Sequence, residues 1–124
     1  MKYCKWIEHK GVRVFHIALA SNNTAELAEK IAEAAPIIRK EPLGSLCCIA
    51  DVKNGHFNPE IMKMLKKFTE GNKPHIKMTV MTGIEGLQRT LYDGFIMVTR
   101  RKNLVTKDNL QEALDFLAEL NLKN

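Results

Sequence analysis

The sequence predicts an α/β fold, in which helices cover a mixed β-sheet with a parallel core and the elements follow the order ββαβαβαβα. Two β-like runs open the chain, and helical and strand-like segments alternate after them. One strand-like segment, residues 45–52, is almost continuously apolar, as expected of a strand buried on both faces. The 124 residues, with 45% hydrophobic and 27% charged side chains, fit one globular domain over residues 1–124.

The first three elements are predicted from local signals. Residues 2–10 and 12–20 are β-like runs separated by Gly11, which predicts a hairpin. The polar segment 21–24 supplies a helix start, because short polar side chains can bind the free amides of a first turn. We expect Pro36 to kink or end this helix, since proline lacks the amide proton and crowds the preceding turn.

The cysteines indicate a reducing compartment. The chain has three of them, an odd count that cannot pair fully. Cys47 and Cys48 are adjacent in the apolar strand 45–52, so they should point to opposite faces and cannot bind one ion together. We interpret both as small buried hydrophobic residues. We therefore expect a cytoplasmic protein.

A loop and a well-marked helix start follow the apolar strand. The Asn-Gly pair in the loop 53–57 fits a tight turn. Asn58 is placed to cap a helix, Pro59 to occupy its first turn, and Glu60 to interact with the positive end of its dipole. Gly71, Asn72 and Pro74 mark the end of this helix.

The remaining elements complete the predicted order. Residues 75–81 form a strand, residues 84 to about 98 a helix, and residues 104–106 a brief last strand. A final amphipathic helix follows, with Leu114 on its buried face.

Four segments carry a resemblance to a known family. They are the strand 46–52, the loop into a capped helix at 57–60, the Asn-Lys-Pro stretch at 72–74, and the strand-to-helix step at 80–87. With the element order, they resemble the STAS domain family (sulfate transporter and anti-sigma factor antagonist domains), especially its small stand-alone members. The resemblance spans nearly the whole chain and implies a non-catalytic regulatory domain that binds a protein partner.

The chain departs from that family at the phosphorylation site. In the family, the loop before the second helix carries a serine or threonine that a partner kinase phosphorylates, and the phosphate blocks partner binding. Between Leu46 and Phe68 this chain has no serine, threonine or tyrosine. Glu60 could mimic a phosphate, but a carboxylate has about half the charge, and an acid in a first helical turn is ordinary dipole chemistry. The resemblance thus implies partner binding without this switch.

The predicted binding residues lie at the carboxyl ends of the parallel strands, where ligands and partners tend to bind in open α/β sheets. They follow two neighbouring strands and comprise Asp51, Lys53, Asn54, Gly55, His56, Asn58, Glu60, Thr82 and Gly83, with Glu85 and Gly86 beyond them. Free amides after Gly83 could hold an anion. Residues 83–86 nevertheless lack the spacing of a dinucleotide fingerprint or a phosphate loop.

The sequence does not favour an enzyme. His56 near Asp51 is the pair that could perform acid–base chemistry, but no nucleophile motif accompanies it. The other histidines, His9, His16 and His75, lack metal-ligand spacing, so we predict no metal and no cofactor. A small enzyme centred on His56 and Asp51 is the last-ranked hypothesis.

The net charge of +5 is localised and favours acidic partners, phosphates or anionic surfaces. Residues 60–102 contain nine basic and four acidic side chains, a difference equal to the whole net charge. Nucleic acid is disfavoured, because the aromatic residues fall mostly on core-like positions. A small-molecule or anionic-lipid binding domain is the second hypothesis, and a homodimer stays open. No apolar run approaches the ~20 residues of a transmembrane helix.

Overall fold

The computed structural model, which describes residues 1–84 and 102–122, confirms the α/β fold class. Its mixed sheet has five strands in the order β1-β2-β3-β4-β5. The strands are β1 (Cys4–His9), β2 (Val12–Ala18), β3 (Leu46–Asp51), β4 (Ile76–Thr82) and β5 (Leu104–Lys107). The described helices are α1 (Thr24–Arg39), α2 (Pro59–Asn72) and α3 (Leu110–Leu122). β1 and β2 are antiparallel, and every following pair is parallel. The predicted helix over residues 84–98 lies almost wholly outside the described residues, as does most of the basic run 99–102.

The predicted hairpin at Gly11 is confirmed. Lys10 and Gly11 form its turn with φ of 52° and 81°, and two positive φ angles are typical of turns that match the twist of a β-hairpin. Across the pair, the Trp6 and Phe15 rings lie 4.7 Å apart. Arg13 stacks 3.5 Å from the Trp6 ring centroid, so one side of the hairpin is covered by aromatic and cation–π contacts.

The central strand β3 is buried on both faces, as its apolar sequence predicts. Cys48 belongs to the core cluster beneath α1 and α2, whereas Cys47 and Ile49 belong to the cluster beneath α3. The two cysteines therefore point to opposite faces, as predicted, and Cys4 is also buried. The pKa of the Cys4 thiol is raised to about 12, chiefly by burial and to a smaller extent by its hydrogen bond with Glu33.

Pro36 does not end α1, contrary to one of the two outcomes we expected. The helix continues through it to Arg39, and Ile38 in the last turn is 1% exposed. Because Pro36 has no amide proton, the carbonyl of Ala32, four residues earlier, lacks its usual helical hydrogen bond. Both residues are exposed, so water can bind that carbonyl instead. Packing of the buried face then keeps the last turn helical.

The start and end of α2 are as predicted. Asn58 is the N-cap and its Oδ1 accepts a hydrogen bond from the amide of Ile61 at 2.8 Å, while Pro59 occupies the first turn. The helix ends at Asn72 and a short 3-10 turn, Lys73–His75, leads into β4. These caps fix α2 directly after the loop that leaves β3.

Candidate functional site

The loops that leave the parallel strands meet at one edge of the sheet. Ala18, Asp51 and Thr82, at the ends of β2, β3 and β4, are register neighbours. The amide of Leu19 donates to the Asp51 carbonyl at 2.9 Å, and the amide of Val52 donates to the Thr82 carbonyl at 2.9 Å. Backbone hydrogen bonding between neighbouring strands therefore extends one residue beyond β2 and β3. The loops that follow β2, β3 and β4 consequently begin side by side.

A tight turn begins the loop after β3. The Gly55 amide donates to the Val52 carbonyl at 3.1 Å, and Asn54 adopts φ of 66° between them. Asparagine tolerates this left-handed conformation better than most residues. The Asp51 carboxylate accepts from the Lys53 amide at 3.1 Å and holds the entry to the turn. The predicted Asn-Gly turn is thus present, with asparagine rather than glycine in the left-handed position.

The same loop is pinned to the connection between β2 and α1. The His56 amide donates to the Ser21 carbonyl at 2.9 Å. The Ser21 hydroxyl, which is buried, donates to the Leu19 carbonyl at 2.9 Å. At Gly55, an added Cβ would lie 3.1 Å from the Ala20 Cα and from the Ser21 amide nitrogen. A side chain at position 55 would push the two backbones apart by a few tenths of an ångström, so glycine favours this close approach.

Gly83 supports the loop from the other side. It has φ of +83°, and a Cβ there would lie 2.5 Å from the Lys53 amide nitrogen and Cβ. That separation is shorter than any van der Waals contact, so a side chain at position 83 would displace the backbone at Lys53. The connection after β4 thus packs directly against the turn after β3.

The predicted site residues divide into an exposed set and a supporting set. The exposed side chains all follow β3 and are Lys53, Asn54, His56, Asn58 and Glu60. We call residues 53–60 the edge loop. Gly55, Thr82 and Gly83 are buried and Asp51 is half-buried, so these four shape or hold the edge loop. Glu85 and Gly86 lie outside the described residues.

His56 and Asp51 are not brought together as an acid–base pair. Within the part of the chain that the structure describes, no hydrogen bond or ion pair joins them. The Asp51 carboxylate accepts a hydrogen bond from the Lys53 amide, and its charge partly offsets the lowering of the His16 pKa that burial causes. His56 is exposed on the loop. Among residues 1–84 and 102–122, no group of three or more His, Cys, Asp or Glu side chains could hold a metal ion.

His16, a titratable residue that is not among the predicted site residues, lies two positions before the end of β2. It lies on β2, half-buried, beside Lys5 of β1 in the strand register. Burial lowers the pKa of His16 from 6.5, Lys5 lowers it further, and Asp51 opposes both. The sequence did contain a signal for His16. Side chains alternate between the two faces of a strand, so Val12, Val14 and His16 share one face, and His16 is the ionisable residue among them.

We expect His16 to make the protein less stable in mild acid. The unfolded chain takes up a proton as pH falls through about 6.5, whereas the folded chain resists protonation until a lower pH. Stability is therefore lost over that interval, with a slope of at most about 1.4 kcal/mol per pH unit for one proton. Urea unfolding at several pH values should show a flatter profile for His16→Gln. The exposed His56→Gln is the matched control, and equal profiles for wild type and His16→Gln would contradict the assignment.

The edge contains no ligand-sized cavity among the described residues. A cavity of about 10 Å³ lies beneath the edge loop, lined in part by Ser21, His56, Phe57 and Ile61. That volume is at the lower limit for a single water molecule. Two larger grooves lie elsewhere: one of about 340 Å³ near Arg13 and Lys77, and one of about 390 Å³ between α1 and α2.

Comparison of the chain with protein-family models, curated proteins and solved structures finds no match. Across residues 1–84 and 102–122, none of the helices combines the length and apolar character that crossing a bilayer requires.

Proposed function

We propose that this chain is a non-catalytic protein-interaction domain, similar to the anti-sigma factor antagonists of the STAS family, and that a protein partner binds its edge loop. The observation that carries the proposal is the display of five exposed polar side chains on a backbone held by hydrogen bonds on both sides. A rigid scaffold that presents a polar loop is a common arrangement for recognition.

The fixed backbone favours affinity. A loop that is already ordered loses little conformational freedom on binding, so more of the contact energy appears as affinity. Here the order comes from the turn closed by Gly55, the bond from His56 to Ser21 and the close approach of Gly83. None of these features requires a partner to form.

The shape of the edge favours a protein over a small molecule. Small-molecule sites are usually concave and enclose several hundred cubic ångströms. The cavity under the edge loop measures about 10 Å³, whereas its exposed side chains lie on the outer surface. Exposed polar groups of this kind suit the polar contacts at the rim of a protein–protein interface.

The edge loop supports binding without a phosphorylation switch. It contains no hydroxyl side chain, and Glu60 lies exposed in the first turn of α2, where its charge is favourable beside the helix N-terminus. We therefore propose constitutive partner binding, in contrast with the switched members of the STAS family.

Affinity capture with matched variants tests this function. The bait Lys53→Glu/His56→Glu/Glu60→Arg changes three exposed side chains of the edge loop, and Lys40→Glu changes an exposed cation after the far end of α1. We expect wild type and Lys40→Glu to recover similar amounts of the same partners. The triple variant should recover about tenfold less of them, which corresponds to a loss of about 1.4 kcal/mol in binding free energy. Circular dichroism checks that all baits fold. Equal recovery of the same partners by all three folded baits would show that the edge loop is not the interface.

A further inference from the structure

A groove between α1 and α2 lies on the surface of the helical layer, apart from the edge loop. It has a volume of about 390 Å³ and is lined by Ala28, Ile31, Ala32, Arg39, Met64, Lys67 and Phe68. Ala28 and Ala32 are exposed and small, so α1 leaves space where larger side chains would close it. Ile31 and Met64 are half-buried in its walls and Phe68 is 8% exposed, which gives the groove an apolar floor.

The three acidic residues of α1 make contacts elsewhere and do not line the groove. Glu33 accepts hydrogen bonds from the amides of Lys2 and Tyr3, both at 2.7 Å. Glu29 lies 3.7 Å from the Lys2 ammonium, and Glu26 accepts from the amide of Asn22. These carboxylates serve the first residues of the chain and the start of α1, and none of them lines the groove.

The two charged residues that do line the groove are cations. Arg39 and Lys67 are both exposed, and no ion pair of either is found among the described residues. The Arg39 guanidinium lies 3.5 Å from the position of an added Cβ on Gly71, beside the last turn of α2. Over the whole of α2, the three lysines Lys63, Lys66 and Lys67 outnumber the two acids Glu60 and Glu70. An occupant of this groove must therefore bring apolar groups for the floor and negative charge for its rim.

We propose that the α1–α2 groove is a docking site for an acidic segment of a protein, which inserts large apolar side chains and pairs flanking carboxylates with Arg39 and Lys67. Amphipathic segments commonly bind in this way in hydrophobic grooves, and flexible methionines such as Met64 adapt to the inserted side chains. The concave apolar floor favours this occupant over an anionic membrane, because interfacial membrane binding uses apolar groups that protrude into the bilayer. This surface is separate from the edge loop and does not depend on the function proposed for it.

Selection from a displayed library of short random peptides tests the groove. With wild type as the target, we expect enriched peptides to combine Leu, Phe or Trp with Asp or Glu. One enriched peptide is then synthesised and its affinity measured by fluorescence anisotropy. Its affinity for Arg39→Glu/Lys67→Glu should be about tenfold or more below that for wild type. Lys5→Glu, an exposed cation on β1, is the matched control and should bind as wild type does.

A second variant tests the floor without changing any charge. Ala32→Trp places a large side chain on the exposed face of α1 and fills the groove, so it should also lower peptide affinity even if the charge-reversed variant does not fold. Three outcomes would overturn the proposal: no enrichment, enrichment of basic or uncharged peptides, or equal binding to wild type and Ala32→Trp. Sedimentation with phosphatidylcholine–phosphatidylglycerol vesicles that depends on Arg39 and Lys67, without peptide enrichment, would instead assign the groove to membranes.

Discussion

Replacing Ile49 with alanine is expected to lower the free energy of unfolding by about 3 kcal/mol, within the range of about 2–5 kcal/mol seen for large-to-small core changes. Ile49 lies on the central strand β3 and is 0% exposed. Its cluster joins Val14 of β2, Val80 of β4 and Leu117 of α3. The substitution removes buried methyl groups and leaves a cavity that these three elements can close only partly.

Denaturant unfolding followed by circular dichroism measures this loss. Leu43→Ala is the matched control, because Leu43 is 74% exposed, and it should change stability by less than about 0.5 kcal/mol. A loss below about 1 kcal/mol for Ile49→Ala would mean that the central strand is not packed on this face as described.

Gly83→Ala is expected to destabilise the protein by more than about 2 kcal/mol. The left-handed backbone at φ of +83° alone costs an L-residue roughly 1–2 kcal/mol. In addition, the new Cβ would lie 2.5 Å from the Lys53 amide nitrogen and 2.6 Å from its Cα, which is backbone and cannot move alone. The turn at Lys53 must shift, so the variant should also weaken partner binding by the edge loop.

Gly11→Ala is the control that separates strain from contact. Gly11 has φ of +81°, close to that of Gly83, yet nothing lies within 4 Å of its added Cβ. Denaturant unfolding should therefore show a smaller loss for Gly11→Ala, and the difference between the two variants measures the contact with Lys53. Equal losses would show that the loops after β3 and β4 are not in close contact.

Structural features that depend only on residues close together in the chain were predictable from the sequence. The apolar run of β3, the Asn58 cap and the break at Gly11 each depend on residues within one turn or strand, and the structure confirms all three. Pro36 shows the limit of such local rules, because its effect depends on whether the freed carbonyl faces water. That is a property of how α1 packs against the sheet.

The arrangement of the candidate site depended on contacts between distant residues. The approach of Gly83 to Lys53 joins two loops separated by a whole helix and strand, and no local pattern encodes it. The predicted binding residues therefore included both the exposed side chains of the edge loop and the buried or half-buried residues that only support it. It also paired Asp51 with His56, since the order of residues does not show that the Asp51 carboxylate acts on the Lys53 amide and His16.

The α1–α2 groove had no signal in the sequence. The groove requires Ala28 and Ala32 of α1 to lie opposite Met64 of α2, and helix spacing alone does not predict which residues of two helices meet. Its positive lining depends on Arg39 of α1 and Lys67 of α2 lying along the same groove, which is again a contact between distant segments.

Backbone amide exchange, measured on the protein alone and with the partner captured by the wild-type bait, tests the central claim most directly. We expect slower exchange over residues 53–60 in the complex and unchanged exchange in α3, which covers the other face of the sheet. Protection confined to α3 or to β1, with the edge loop exchanging as in the free protein, would contradict the claim that the partner binds there.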